Sequence, residues 1–410
     1  FSNAAIESMA AAGVAFACQF DAASFGGYGR LDMFDVASSQ PKPQYYALAK
    51  LIQLYRPKAL ATAPAAPVVA TGELISRGAP VYCSANDTGP AGPGAIVDGH
   101  YGNWAFWNAK QDTLPSWCAV HLGSGPSRVL LVWEMDFATD YISNYGSMPC
   151  DYSVAVSGDS TNGADGTWQT IVSVQGNQTR VREHLLPFTG KSWVKMTVTK
   201  GQADVPDITV NKIDVYDAST SLSDTYIFSG DSISIMAFNR FDVHQPSFAQ
   251  DVHSAFPHLF PATLDAGMGG WNSGGAVQSI SQWLPLNPDI HYWLLGWGSN
   301  DSLQDVSPAD FGAALQQVVA KIKAAGHVPI LARIPYSTFH NVPGLDAEIQ
   351  RLNAVIGQVT AANGLITGPD LYTLFKNNPS YLGPDGLHPT DSGAVAINQA
   401  WFEVLQPYLS

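Results

Sequence analysis

The pattern of apolar and polar positions changes character along the chain. Near the N-terminus, Tyr45, Leu48, Ala49 and Ile52 recur at i, i+3, i+4 and i+7, and Pro43 stands just ahead of them. This predicts one amphipathic helix inside a short segment, 1–58. Residues 59–69 are an Ala/Pro run that reads as a stiff linker. Residues 70–218 carry short runs such as Arg128-Val129-Leu130-Leu131-Val132-Trp133 and Tyr152-Ser153-Val154-Ala155-Val156, parted by Gly-, Asn- and Asp-rich turns. We read these runs as alternating strands of an all-β sandwich.

From residue 219 to 410 strands alternate with helices. Tyr226-Ile227-Phe228 reads as a short strand, and Ile290 to Leu295 as a continuous apolar strand of the kind buried on both faces. Ser307 and Pro308 form an N-cap and N1 pair opening a helix whose stripe is Phe311, Leu315, Val318, Val319 and Ile322. His327 to Leu331 is the next strand. Ile349, Leu352, Ile356 and Val359 mark a further helix, and Ile397, Trp401, Val404 and Leu405 the last. The expectation is a three-layer α/β domain around a parallel sheet.

Charge narrows the partners. The net charge of −14 repels nucleic acid and anionic membrane, whereas a neutral polysaccharide meets no such barrier. No apolar run is long enough to span a bilayer. Only 13% of residues are charged, which fits a secreted protein. With Phe1 first and no signal peptide, the sequence reads as a processed or truncated product. Cys18, Cys83, Cys118 and Cys150 match no zinc or redox spacing, so disulfides are expected in an oxidising compartment, with three pairings open and buried free thiols the alternative for any single pair. Asn86-Asp87-Thr88 and Asn177-Gln178-Thr179 are glycosylation sequons.

Candidate chemistry gathers in four blocks: Gly230-Asp231-Ser232, Gly269-Gly270, Gly298-Ser299-Asn300-Asp301 and Asp385-Gly386-Leu387-His388. Ser232 follows a strand, where open parallel sheets place their sites. Gly230 lets the chain turn sharply, and Asp231 can anchor the loop. A serine hydroxyl needs a base, and His388 has Asp385 three residues earlier in a loop stiffened by Pro384 and Pro389. A tetrahedral oxyanion needs donors, which Ser232 N–H, Gly270 N–H and the Asn300 amide supply; Gly269 is the alternative to Gly270. Trp271 and Trp297 flank two blocks as a candidate sugar platform, with Tyr336 a further lining residue, although packing explains each as well. The other histidines of this region read as structural or surface residues, and His291, inside an apolar strand, as a core residue.

These blocks resemble the SGNH (GDSL-type) hydrolase superfamily over roughly 224–410. The resemblance implies a flavodoxin-like parallel sheet and a nucleophile at Ser232. It implies an oxyanion hole at Ser232, Gly270 and Asn300, an acid–base pair at Asp385 and His388, and no catalytic cofactor. The first block reads Gly-Asp-Ser-Ile where Gly-Asp-Ser-Leu is usual. Family activities include deacetylation of carbohydrates and hydrolysis of simple esters, thioesters or lysophospholipids.

In 80–217, the phrases around Asp98-Gly99, Trp117 to Gly123, Tyr152 to Ser157, Asp165 to Trp168 and Ile213 to Tyr216 resemble a discoidin (factor V/VIII C-type) jelly roll. That class includes carbohydrate-binding modules and often holds a structural Ca²⁺, for which Asp98 is the candidate ligand. Tyr101, Trp104 and Trp107 form an aromatic cluster that suits a sugar face or an interdomain plug equally. Lys42-Pro43-Gln44-Tyr45-Tyr46-Ala47 resembles the closing unit of a glycoside hydrolase (β/α) barrel. Together these readings give the expectation of a secreted carbohydrate esterase removing O-acetyl groups from a polysaccharide. A short-chain or lipid esterase and a polysaccharide-binding protein with a vestigial esterase domain are the alternatives. Oligomeric state is left open.

Overall fold

The computed structural model describes residues 73–84, 93–99, 107–135, 147–202, 207–220, 222–238 and 246–409. The expected helix near Tyr45 and the linker lie outside the described residues, as do Cys18 and the Asn86 sequon.

Ten strands come first: β1 Val81–Cys83, β2 Trp107–Lys110, β3 Ser116–His121, β4 Arg128–Glu134, β5 Asp151–Ser157, β6 Gln169–Val174, β7 Val181–Pro187, β8 Trp193–Lys200, β9 Asp207–Val210 and β10 Lys212–Asp217. They form a five-stranded sheet ordered β1-β3-β8-β5-β6, a three-stranded sheet ordered β10-β4-β7, and a β2-β9 pair, all antiparallel. One core lies between the two larger sheets, with Cys118, Val120, Val154, Val194 and Met196 facing Val129, Leu131, Trp133, Ile213 and Val215. A disulfide joins Cys83 to Cys118 across the β1–β3 register, while Cys150 is a half-buried thiol.

The run Val129 to Trp133 departs from the alternation expected of it. Val129, Leu131 and Trp133 face the sandwich core. Leu130 and Val132 turn the other way, with Val181 and Tyr216, into the core of the following domain. The three-stranded sheet is therefore buried on both faces, and each aliphatic side chain so covered contributes about 1.5–3 kcal/mol.

The second half supplies β11 Thr225–Gly230, β12 Ala262–Asp265, β13 Tyr292–Gly296 and β14 Val328–Leu331, a parallel sheet ordered β12-β11-β13-β14. Its helices are α1 Ser232–Phe238, α2 Phe248–Ala255, α3 Ser273–Trp283, α4 Ser299–Leu303, α5 Pro308–Ala324, α6 Leu345–Asn363, α7 Leu371–Asn377 and α8 Asp391–Leu405. Helices α3, α5 and α6 cover one face against Ile227, Leu264, Trp293 and Leu295. The opposite face, with Tyr226, Phe228, Leu294 and Ile330, is covered by α1, α2 and α8. This is the expected three-layer α/β architecture. The predicted N-cap is present: Ser307 Oγ accepts the Asp310 N–H at 3.1 Å. His291 departs from expectation, being half-buried beside Tyr292 at the start of β13. No helix among the described residues is long and apolar enough to cross a membrane.

Polar ties join the sandwich to the α/β sheet. The Glu183 N–H donates to Asn287 Oδ1 at 3.1 Å, and Glu183 Oε1 accepts the Asp289 N–H at 2.7 Å. Burial, with the Asp289 charge, pushes the Glu183 carboxyl up to about 8 against the pull of the Asp289 N–H and Arg182. A carboxyl raised in the fold stabilises fully below its ordinary 4.5, and this contribution disappears as pH rises through about 8. Thermal unfolding should therefore fall by several degrees between pH 5 and pH 8. Glu183→Gln keeps the acceptor without the charge and should flatten that decline, which differential scanning calorimetry at the two pH values checks.

Candidate active site

The order β12-β11-β13 places three strand ends side by side, and each leads into one block. Strand β11 ends at Gly230, and Ser232 opens α1. Gly230 is required by close approach and not by a left-handed turn. A Cβ there would lie 2.0 Å from Ser234 Oγ and 2.6 Å from the Gly296 carbonyl oxygen. Asp231 is fully buried, and its Oδ1 accepts the Ile233 N–H at 2.9 Å, which pins the turn. Burial pushes its carboxyl up to about 6.

Ser232 Oγ lies 2.9 Å from His388 Nε2, and His388 Nδ1 lies 2.6 Å from Asp385 Oδ2. With the carboxylate on Nδ1, the proton sits there and Nε2 is left to accept from the serine hydroxyl. Asp385 Oδ1 accepts the N–H groups of Leu387 and His388 at 3.0 and 3.1 Å. Burial raises the Asp385 carboxyl, but the Leu387 N–H, the His388 ring and the His388 N–H outweigh it and hold it below its ordinary value. The loop itself is braced: Gly386 has φ +73°, and its carbonyl accepts from Thr338 N–H at 2.8 Å and Ser337 Oγ at 2.7 Å.

The second and third blocks are tied together. Gly270 occupies an exposed turn at φ +76°, a conformation that favours glycine. Asn300, in the first turn of α4, donates from Nδ2 to the Trp271 carbonyl at 2.9 Å. That bond fixes which end of the amide is nitrogen and leaves its second N–H available. Asp301, named in the sequence only as part of its block, is fully buried. It accepts the Ser273 N–H at 2.9 Å and the Ser273 hydroxyl at 2.5 Å. Asn272 caps α3 and donates to Gln304 Oε1 at 2.8 Å. The clamp from α4 to the start of α3 joins residues 28 apart, which no local motif announces.

The aromatic candidates divide. Tyr336 is half-buried on an open groove of about 640 Å³ beside Asp385, which Thr338, His340, Asn341 and Lys376 also line. Trp271 is half-buried against the first turn of α3. Trp297 is a correction: at 2% exposure it belongs to the α/β core, with Nε1 3.3 Å from Ser229 Oγ, and offers no face to a sugar. Trp107 is a second correction, since it is fully buried in the sandwich core. Tyr101 and Trp104 lie outside the described residues. Asp98 is half-buried, and no group of three or more His, Cys, Asp or Glu side chains is gathered for a metal among the described residues. Asn177 is buried, and its Nδ2 donates to the Pro149 and Thr179 carbonyls, which removes it as a glycan acceptor.

Residues 228–396 match the model of the GDSL-like Lipase/Acylhydrolase family. The chain carries a GDSL-type hydrolase domain. Among solved structures it is similar to a lipase/acylhydrolase from Enterococcus faecalis, at 22% identity over 45% of this chain and 97% of that one, with a TM-score of 0.39. A Bacillus subtilis protein aligns at 16% identity over 80% of this chain and 99% of its own, with a TM-score of 0.44. An acetylxylan esterase from Geobacillus stearothermophilus aligns at 15% identity over 44% and 94%, with a TM-score of 0.38. None of the curated proteins matches the chain.

The packing at the head of the GDSL-type domain makes Gly230 intolerant. Gly230→Ala should destabilise by about 1–3 kcal/mol, because the carbonyl it meets belongs to β13 and cannot swing aside. Chemical denaturation of the variant, fitted with an unchanged m-value, checks this.

Proposed function

We propose that the protein is a serine esterase that removes O-acetyl groups from a polysaccharide outside the cell. The observation that carries the reading is the hydrogen-bonded chain from Ser232 Oγ through His388 to Asp385. Ser232 Oγ attacks the acetyl carbonyl while His388 Nε2 takes its proton, and the Asp385 carboxylate stabilises the imidazolium. The negative oxygen is met by the N–H groups of Ser232 and Gly270 and by the second N–H of the Asn300 amide. His388 then protonates the departing sugar oxygen. In the second half-reaction it takes a proton from water, which attacks the acetyl-enzyme, and returns that proton to Ser232 Oγ as acetate is released.

The open groove beside Asp385 has the size and mixed polarity that a sugar chain requires, with Tyr336 to pack on its C–H surface. The net charge of −14 favours a neutral polymer, and the Cys83–Cys118 disulfide fits an oxidising compartment.

Acetate release from acetylated xylan and acetylated mannan tests this reading. The parent should release acetate and Ser232→Ala none, with Ser232→Ala still folding. Asp385→Asn should lower kcat by about 10²–10⁴-fold through loss of the correct imidazole tautomer. An active Ser232→Ala enzyme would overturn the mechanism. Activity on a small activated acetate ester, with none on either polymer, would retain the triad and discard the polymer. A preference for long acyl chains would replace acetyl with lipid.

A further inference from the structure

Buried charge lies where the sandwich meets the GDSL-type domain, and the mechanism above makes no use of it. Arg180, Lys212, Glu134, Asp214 and Asp265 are all at most 4% exposed. Arg180 Nη2 lies 3.1 Å from Asp265 Oδ1. Lys212 Nζ lies 3.1 Å from Glu134 Oε2 and donates to the Thr263 carbonyl at 2.9 Å. Glu134 Oε2 also accepts the Asp265 N–H at 3.3 Å. Two of these acceptors, Thr263 and Asp265, belong to β12; the two cations belong to the sandwich.

Buried ion networks of this kind contribute little net stability, because desolvation offsets the attraction; what they supply is position. The position supplied here is that of a turn. Asp265 Oδ1, the atom that Arg180 holds, also accepts the Gly267 N–H at 2.9 Å. Gly267 is seated against the nucleophile's own turn: a Cβ on it would lie 2.5 Å from Ile235 Cγ1 and 3.0 Å from the Asp231 carbonyl oxygen. The next residue, Met268, donates its N–H to the Gly230 carbonyl at 2.8 Å, and Gly270 follows two residues later.

We infer that Asp265, held by Arg180 from the sandwich, is a positioning residue that sets the Gly267–Gly270 turn against Ser232. The β-sandwich is then a working part of the hydrolase, since one of its side chains fixes an oxyanion donor. This rests on the reading of Gly270 as such a donor.

The test separates position from stability. Arg180→Met leaves the Asp265 charge buried without its cation and should lower the melting temperature. Arg180→Met/Asp265→Leu removes both charges, so the melting temperature should recover toward the parent while the turn loses its anchor. In the double variant, kcat on 4-nitrophenyl acetate should fall about 10²-fold with KM little changed, as expected for a donor displaced by about an ångström. Hydrogen exchange at Gly267 and Met268 should quicken at least about tenfold. Asp265→Asn, which keeps an acceptor for Gly267, should hold kcat within about threefold. If the double variant does not fold, Asp265→Ala is read in the same two ways. A folded variant with parental kcat and parental exchange would overturn the inference. If the parent hydrolyses no ester, the esterase reading fails separately, and exchange at Gly267 still decides whether Asp265 positions the turn.

Discussion

A three-stranded sheet buried against a core on each face joins the sandwich to the α/β domain. Strands β10, β4 and β7 turn Val129, Leu131, Trp133 and Leu186 into the sandwich and Leu130, Val132, Val181 and Tyr216 into the α/β core. A sheet with two apolar faces cannot stand as the outer wall of an independent module, because uncovering either face exposes a row of large side chains to water. Residues 68–410 accordingly form one compact unit. The sandwich is bound to the α/β sheet by a shared core, and the buried ions fix the register within it.

Legibility followed the range of the interaction. The helices α5, α6 and α8 were readable because their stripes are long, and Ser307 and Pro308 also mark the start of α5 within two residues. Helix α1 was hidden because Ser-Ile-Ser-Ile-Met-Ala-Phe carries no amphipathic stripe, six of its seven residues being buried. Strand β12 was hidden because Ala-Thr-Leu-Asp is four residues with one large apolar side chain. The apolar run in β4 did carry the sign of two-sided burial, but the surrounding β pattern drew it toward a one-faced reading. Trp107 and Trp297 show the same ambiguity from the other side, since a tryptophan beside a motif is equally at home in a core or on a ligand, and only packing decides.

The candidate site divides in the same way. Asp385 and His388 are three residues apart, and one loop supplies the carboxylate, the two N–H groups that orient it and the imidazole. That pair could be read directly. The partner contacts of Asn300, Asp301 and Asp265 reach across 28 to 131 residues, so their roles became visible only once the strands were side by side. The sequence placed Asn300 in its block but had no means of showing that Trp271 orients its amide.

This division has a mechanical consequence. The Asp385–His388 pair is held within one loop, which Ser337 and Thr338 brace at the Gly386 carbonyl. The donors proposed for the oxyanion lie beyond the ends of β11, β12 and β13, and so depend on how those strands sit relative to one another. Strand β12 is one of the two edges of the parallel sheet, with a strand on one side only, and an edge strand has half the ladder to hold it. Lys212 bonding to the Thr263 carbonyl, Glu134 to the Asp265 N–H and Arg180 to the Asp265 carboxylate occupy that edge from the sandwich side. The edge strand that leads to the proposed oxyanion donor is thus a strand the sandwich secures, and this gives a physical reason for the two folds to share one body.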